Sequence, residues 1–181
     1  MNAHFETFKT RAEAVSAEVH RFATRPEALA FILGFLREQG GSALWAAGGF
    51  LPEAERPEAC QQAPGLSFQV ERAAAAEAAV GISEMDWAAA NTGTLVQDAA
   101  AVEQRLVSTL PPVHLALIGT QRIQADMAAV LGRIHPGQTN YIAMITGPSR
   151  TADIERVLTI GVHGPKRLVI VAVDEFQQEV A

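Results

Sequence analysis

The residues of this chain best equipped for chemistry fall in two stretches. One is Gly147-Pro148-Ser149-Arg150-Thr151, followed by Asp153 and Glu155 and then by His163 between Gly161 and Gly164. Ser149, Arg150 and Thr151 stand where a helix is expected to begin. Free backbone N–H groups, the positive end of the helix dipole and a guanidinium would together hold a phosphate or a small carboxylate. The plainer reading makes Ser149 or Thr151 an N-cap and pairs Arg150 with a surface acid. Asp153 and Glu155 complement the dipole in the first turn, with an Asp153–Arg156 pair. His163 is suited to act as acid, base or hydrogen-bond donor near neutral pH, or else satisfies turn carbonyls. The other stretch runs from Glu84 and Asp86 to Asn91, Thr92, Gly93 and Thr94. Those four residues either line a ligand pocket with N–H and hydroxyl groups or form a hairpin corner. Glu84, Asp86 and His163 are the candidate catalytic groups for any reaction that needs an acid or base.

Other chemistries find no support. The histidines, His4, His20, His114, His135 and His163, show no helical i, i+4 pair, and Cys60 is the single cysteine, so no metal site is expected. One cysteine excludes an internal disulfide and an iron–sulfur cluster ligated by cysteines of this chain alone. There is no phosphate-binding P-loop, no dinucleotide-type glycine motif after a strand and no serine nucleophile elbow.

The elements that must position these groups follow from apolar patterning. Residues 141–145 and 168–173 are short runs rich in Ile and Val, as strands of a covered sheet should be. Residues 151–158 form a helix-sized segment with Ile154, Val157 and Leu158 on one face. Together they suggest a βαβ unit with parallel neighbouring strands. Ser149 would then sit at a carboxyl strand end, and His163 at the opposite end of the unit. Upstream, residues 4–16 read as a helix and 18–23 as a short strand. Thr24-Arg25-Pro26-Glu27 is a capping box opening a helix that Gly40-Gly41 ends. Residues 43–47 and 66–70 read as strands around a proline-rich surface excursion at 52–65. Residues 71–80 read as helix, closed by Gly81-Ile82-Ser83. Residues 94–97, 105–108 and 113–118 read as strands, and 123–131 as a helix.

A chain of 181 residues, 49% hydrophobic and 19% charged, can bury a sizeable core. The net charge of −6 argues against nucleic-acid binding. No apolar run approaches a membrane span and no signal peptide is visible, so a cytoplasmic location is expected. Oligomeric state is left open, a homo-oligomer included.

Four segments are particular enough to carry a resemblance: GISEMDWAAANTGTLV, LPPVHLALIG, ITGPSRTADIE and GVHGPKRL. In order and spacing they resemble the LUD-domain family, lactate utilization protein C type, over most of the chain. The resemblance implies an α/β fold with a Rossmann-like, mainly parallel sheet and helices on both faces, related to ribose-5-phosphate isomerase, glucosamine-6-phosphate deaminase and CoA transferases. It implies one LUD domain over residues 1–181, an N-terminal helical segment (1–40) packing on an α/β core (41–175). The implied role is a non-redox component of bacterial oxidation of L-lactate to pyruvate, with iron–sulfur clusters held by partner subunits and none by this chain. The alternative is a standalone enzyme acting on a phosphorylated or CoA-linked small molecule. Asn91 stands where many relatives carry an acidic residue, and an amide cannot act as base or nucleophile. The chain also begins later than longer relatives, which carry a further N-terminal helical segment, and an effect on partner docking is expected.

Overall fold

The computed structural model describes residues 3–46, 48–135, 137, 139, 141–151, 159–160 and 163–176. In chain order, α1 (Phe5–Ala14), β1 (Glu18–Phe22) and α2 (Arg25–Gln39) lead to β2 (Ala43–Trp45), α3 (Arg56–Gln62) and β3 (Leu66–Ser67). Then come α4 (Arg72–Glu77), β4 (Val80–Glu84), β5 (Trp87–Ala89), β6 (Thr94–Asp98), α5 (Val102–Thr109) and β7 (Val113–Gly119). The remainder is β8 (Ile123–Gln124), α6 (Met127–Leu131), β9 (Ile142–Ile145), β10 (Arg150–Thr151), β11 (Thr159–Ile160) and β12 (Arg167–Val173).

Six strands form a parallel sheet in the order β1-β12-β7-β4-β2-β3. β12 reads RLVIVAV because it is covered on both faces. Val169, Val171 and Val173 pack with Trp45, Leu115 and Leu117 against α2 and α3. Leu168, Ile170 and Ala172 pack with Ala116 and Ile118 against α1 and the smaller sheet. Each such fully buried Val, Leu or Ile side chain stabilises the fold by about 1.5–3 kcal/mol. α4 and α5 add a cluster of Ala75, Ala78 and Val107 on Leu44 and Ala46. The mainly parallel α/β architecture with helices on both faces is therefore as expected. α2 opens on the expected capping box: the Thr24 hydroxyl accepts from the Glu27 N–H, and Glu27 accepts from the Thr24 N–H at 3.1 Å.

A second sheet, β8-β5-β6-β9, lies on the α1 side, and β10 and β11 form a separate antiparallel ladder. This corrects the expected βαβ unit. β9 pairs antiparallel with β6, not parallel with β12, whose neighbours are β1 and β7. Arg150 and Thr151 begin a two-residue strand; the rest of the expected helix, with Asp153 and Glu155, lies outside the described residues. Three further expectations change. Residues 81–83 do not end a helix but run through the buried strand β4. Residues 105–108 belong to α5, whose Val107 seats on the sheet. The 123–131 segment opens as strand β8, and its helix begins only at Met127, where Asp126 caps it by accepting from Ala129 N–H at 2.8 Å.

Candidate functional site

The two turns expected at opposite ends of a unit come together. A cavity of about 390 Å³ is lined by Gly147, Ser149 and Arg150 from one turn and by His163, Gly164 and Pro165 from the other. The Ser149 N–H donates to the Pro165 carbonyl at 2.9 Å, tying the turns to each other. His163 is thus beside Ser149, because the segment leading to Ser149 left the parallel sheet and the strand-end rule no longer fixes its side. The cavity reaches the amino ends of β7 and β12, where His114 and Leu168, paired across neighbouring strands, are part of its lining. Ser108 and Thr109 at the end of α5 complete the polar wall.

Arg150 is exposed, and its Nη2 donates to the Val15 carbonyl at 2.7 Å and to the Ser16 hydroxyl at 2.9 Å. These bonds pin the C-terminal end of α1 and use one of the three guanidinium nitrogens. Gly147 packs on the same place: a Cβ there would lie 2.4 Å from the Val15 carbonyl oxygen. Thr151 follows in the β10–β11 ladder, opposite Thr159.

The Asn91–Thr94 corner is the hairpin turn between β5 and β6. It reaches the cavity only indirectly. Thr92 and Thr94 hydroxyls are 2.7 Å apart, and Thr94 continues at 2.8 Å to Thr146, a cavity residue. The exposed Asn91 donates its backbone N–H to the Ala125 carbonyl at 3.1 Å. Gly93 has φ 66°, and a Cβ on it would meet the backbone nitrogen of Ala12 at 2.4 Å. The glycine lets α1 approach. Gly93→Ala is therefore expected to lower stability by about 2 kcal/mol, combining left-handed strain with displacement of α1. Thermal denaturation checks it; an unchanged midpoint would mean that the corner does not bear on α1.

Glu84 and Asp86 lie elsewhere, at and just beyond the carboxyl end of β4. The Glu84 carboxylate accepts from Gly49 N–H at 3.0 Å and from Phe50 N–H at 2.9 Å, and a Cβ on Gly48 would fall 2.3 Å from it. Burial raises the Glu84 pKa, against those two N–H bonds, and the charge of Asp86 adds to the rise. Burial likewise raises Asp86, which accepts from the Asp98 N–H. Phe50, fully buried, packs edge-on against Phe176 at 5.1 Å beside this strand end.

Sequence reasoning missed His114 as a cavity residue. It is 1% exposed, its Nε2 lies 2.9 Å from the Ser83 hydroxyl, and burial pushes its pKa down to about 4. The available signal was a lone imidazole inside the apolar run VHLALI, where a polar side chain needs a reason. Among the described residues, no group of three or more His, Cys, Asp or Glu side chains is gathered as a metal site, and no helix is long and apolar enough to cross a membrane.

Comparison with known proteins agrees with this architecture. A crystal structure of a DUF162 family protein from Deinococcus radiodurans superposes with TM-score 0.62 at 20% identity, covering 94% of this chain and 96% of that one, which is a likeness of fold. An uncharacterized protein of Neisseria meningitidis serogroup B is 38% identical over 96 residues, 51% of this chain and 41% of its own. Lactate utilization protein C of an Exiguobacterium species is 36% identical over 113 residues, 59% of this chain and 49% of its own. The matched stretch spans less than half the length of either relative. The model of the LUD domain matches residues 5–173, nearly the whole chain, and the protein belongs to the LUD domain family.

Proposed function

We propose that this chain is a non-redox component of a bacterial system that oxidises L-lactate to pyruvate, docking with iron–sulfur subunits and holding a small carboxylate or phosphate. The observation that carries the anion half is the cavity where Ser149, Arg150 and His163 meet. Arg150 supplies positive charge and Ser149 a hydroxyl donor, a pairing suited to carboxylate or phosphate oxygens. The subunit half is supported by the printed name of several relatives, Lactate utilization protein C. On this reading the iron–sulfur clusters reside in the partners, in keeping with a single cysteine, which cannot by itself supply the thiolates of a cluster.

Thermal denaturation against lactate, pyruvate, phosphate, sugar phosphates, CoA esters and nicotinamide nucleotides tests the anion half. A ligand at about 100 times its Kd stabilises by about 2.7 kcal/mol, a rise of about 5–10 °C for a chain of this size. Arg150→Ala also loses its bonds to α1, so the quantity to compare is the ligand-induced rise, which is expected to vanish in that variant. A flat response of the wild type to the whole panel sinks the anion half. Failure to co-purify with iron–sulfur subunits sinks the other.

A second reading, a standalone enzyme acting on a phosphorylated or CoA-linked small molecule, is favoured by Glu84. A carboxyl group with raised proton affinity at the carboxyl end of a parallel strand is placed for acid–base work. It requires turnover by the purified chain that Glu84→Gln abolishes; the subunit reading requires none.

A further inference from the structure

We propose that His114 contacts the ligand at the inner end of the cavity, and that it selects an organic anion bearing an uncharged hydroxyl or carbonyl group over a bare inorganic anion. The inference rests on the anion reading above and deepens it.

His114 sits on β7 among apolar neighbours, yet it is part of the cavity lining. Its two ring nitrogens differ. Nε2 is bound to the Ser83 hydroxyl, while Nδ1 is buried and has no hydrogen-bond partner. An unpaired polar atom at such depth is costly, and buried polar atoms are rarely left so. A ligand group arriving through the cavity would complete it. The charge state narrows what that group is. Burial keeps the imidazole neutral at physiological pH, so it offers one hydrogen bond and no counter-charge. A hydroxyl satisfies either tautomer, and a carbonyl satisfies the one with the proton on Nδ1. Positive charge lies instead at Arg150, which is exposed. The cavity is therefore polarised, with a cation outside and a neutral hydrogen-bonding group within. Its size agrees. About 390 Å³ holds about a dozen waters, more room than a single inorganic anion fills. Ile145 and Leu168 supply apolar wall for a carbon skeleton between the two ends.

The test uses matched probes on the purified chain: lactate against propionate, and glycerol phosphate against inorganic phosphate. Titration calorimetry of the wild type is expected to show one hydroxyl-bearing member binding about tenfold more tightly than its matched partner, the worth of one hydrogen bond. The carboxylate and phosphate pairs distinguish the two anion types. In His114→Leu that preference, read as the ratio of affinities within the pair, is expected to collapse. Should the preference persist in His114→Leu, this inference falls and the anion reading stands. Should the preference depend on His114 while Arg150→Ala binds as well as the wild type, the anion reading falls and the His114 contact stands. If none of the four probes binds, this inference falls, and the wider panel above decides the anion reading. Because His114→Leu alters a buried strand, a second measurement uses the unmodified chain. With the tighter probe at saturation, the His114 Nδ1 resonance in a nitrogen-15 spectrum is expected to move while those of His4 and His20 stay. An unmoved resonance overturns the contact.

Discussion

Gly81→Ala is expected to destabilise the protein by about 3–4 kcal/mol and to lower the midpoint of thermal unfolding by about 10 °C. Gly81 lies on β4, in register with Leu44 on one side and His114 on the other, so the strand cannot slide to make room. A Cβ there would stand 1.9 Å from the Val107 carbonyl oxygen and 2.9 Å from Pro111 Cγ. Backbone meets backbone, and no rotamer change relieves it. α5 would have to lift from the sheet, pulling Val107 out of its cluster with Leu44 and Ala75. Gly137→Ala is the control, since a Cβ there has nothing within 4 Å and its effect is expected to be within about 0.5 kcal/mol. A Gly81→Ala protein that melts with the wild type would show that α5 does not lie on β4 as described.

Acidification from about pH 7 to about pH 4.5 is expected to cost the wild type about 2.4 kcal/mol more than a His114→Gln variant. Burial holds the His114 pKa at about 4, against an ordinary value of 6.5. Each factor of ten in proton affinity is worth about 1.4 kcal/mol. The unfolded chain therefore binds a proton between pH 6.5 and about 4 that the folded chain refuses, and stability is lost as pH falls through that window. Glu84 and Asp86 act in the opposite sense. Their raised folded values favour the folded state as pH falls towards the ordinary carboxylate range. Glu18, lowered by its side-chain hydrogen bonds from Arg167, loses its contribution as pH falls below its ordinary value of 4.5. The informative quantity is thus the difference between wild type and His114→Gln in urea midpoints at about pH 7 and about pH 4.5. Parallel profiles would refute a neutral buried imidazole.

The strands of the main sheet were legible because burial on both faces writes itself into sequence as an unbroken apolar run, as in RLVIVAV and VHLALI. The opening of α2 was legible because a capping box is a local device, with both partners within three residues. The fate of residues 141–145 was not. A four-residue apolar strand looks alike in either sheet, and its choice of β6 is a long-range pairing without local signature. Residues 105–108 failed for a related reason: a short run with two apolar residues fits strand or helix, and the seating of Val107 on Leu44 settles it. Gly81 reads as a terminator because glycine so often is one, whereas in the fold it marks close approach of a helix backbone.

For the site, the sequence determined the chemical groups: a serine and an arginine in one glycine turn, a histidine in another, a threonine-rich corner and two carboxylates. It also determined the family, through motifs whose order and spacing are unusual. Tertiary structure decided which groups meet. It joined Ser149, Arg150 and His163 around one cavity, spent Gly93 and Gly147 on the approach of α1, and left Glu84 and Asp86 at the carboxyl end of β4. It also brought His114 to the cavity from the middle of the core. Residue type follows from the chain alone. The end of the sheet to which a turn returns depends on which strand pairs with which, and that is fixed only when the whole sheet closes its hydrogen bonds.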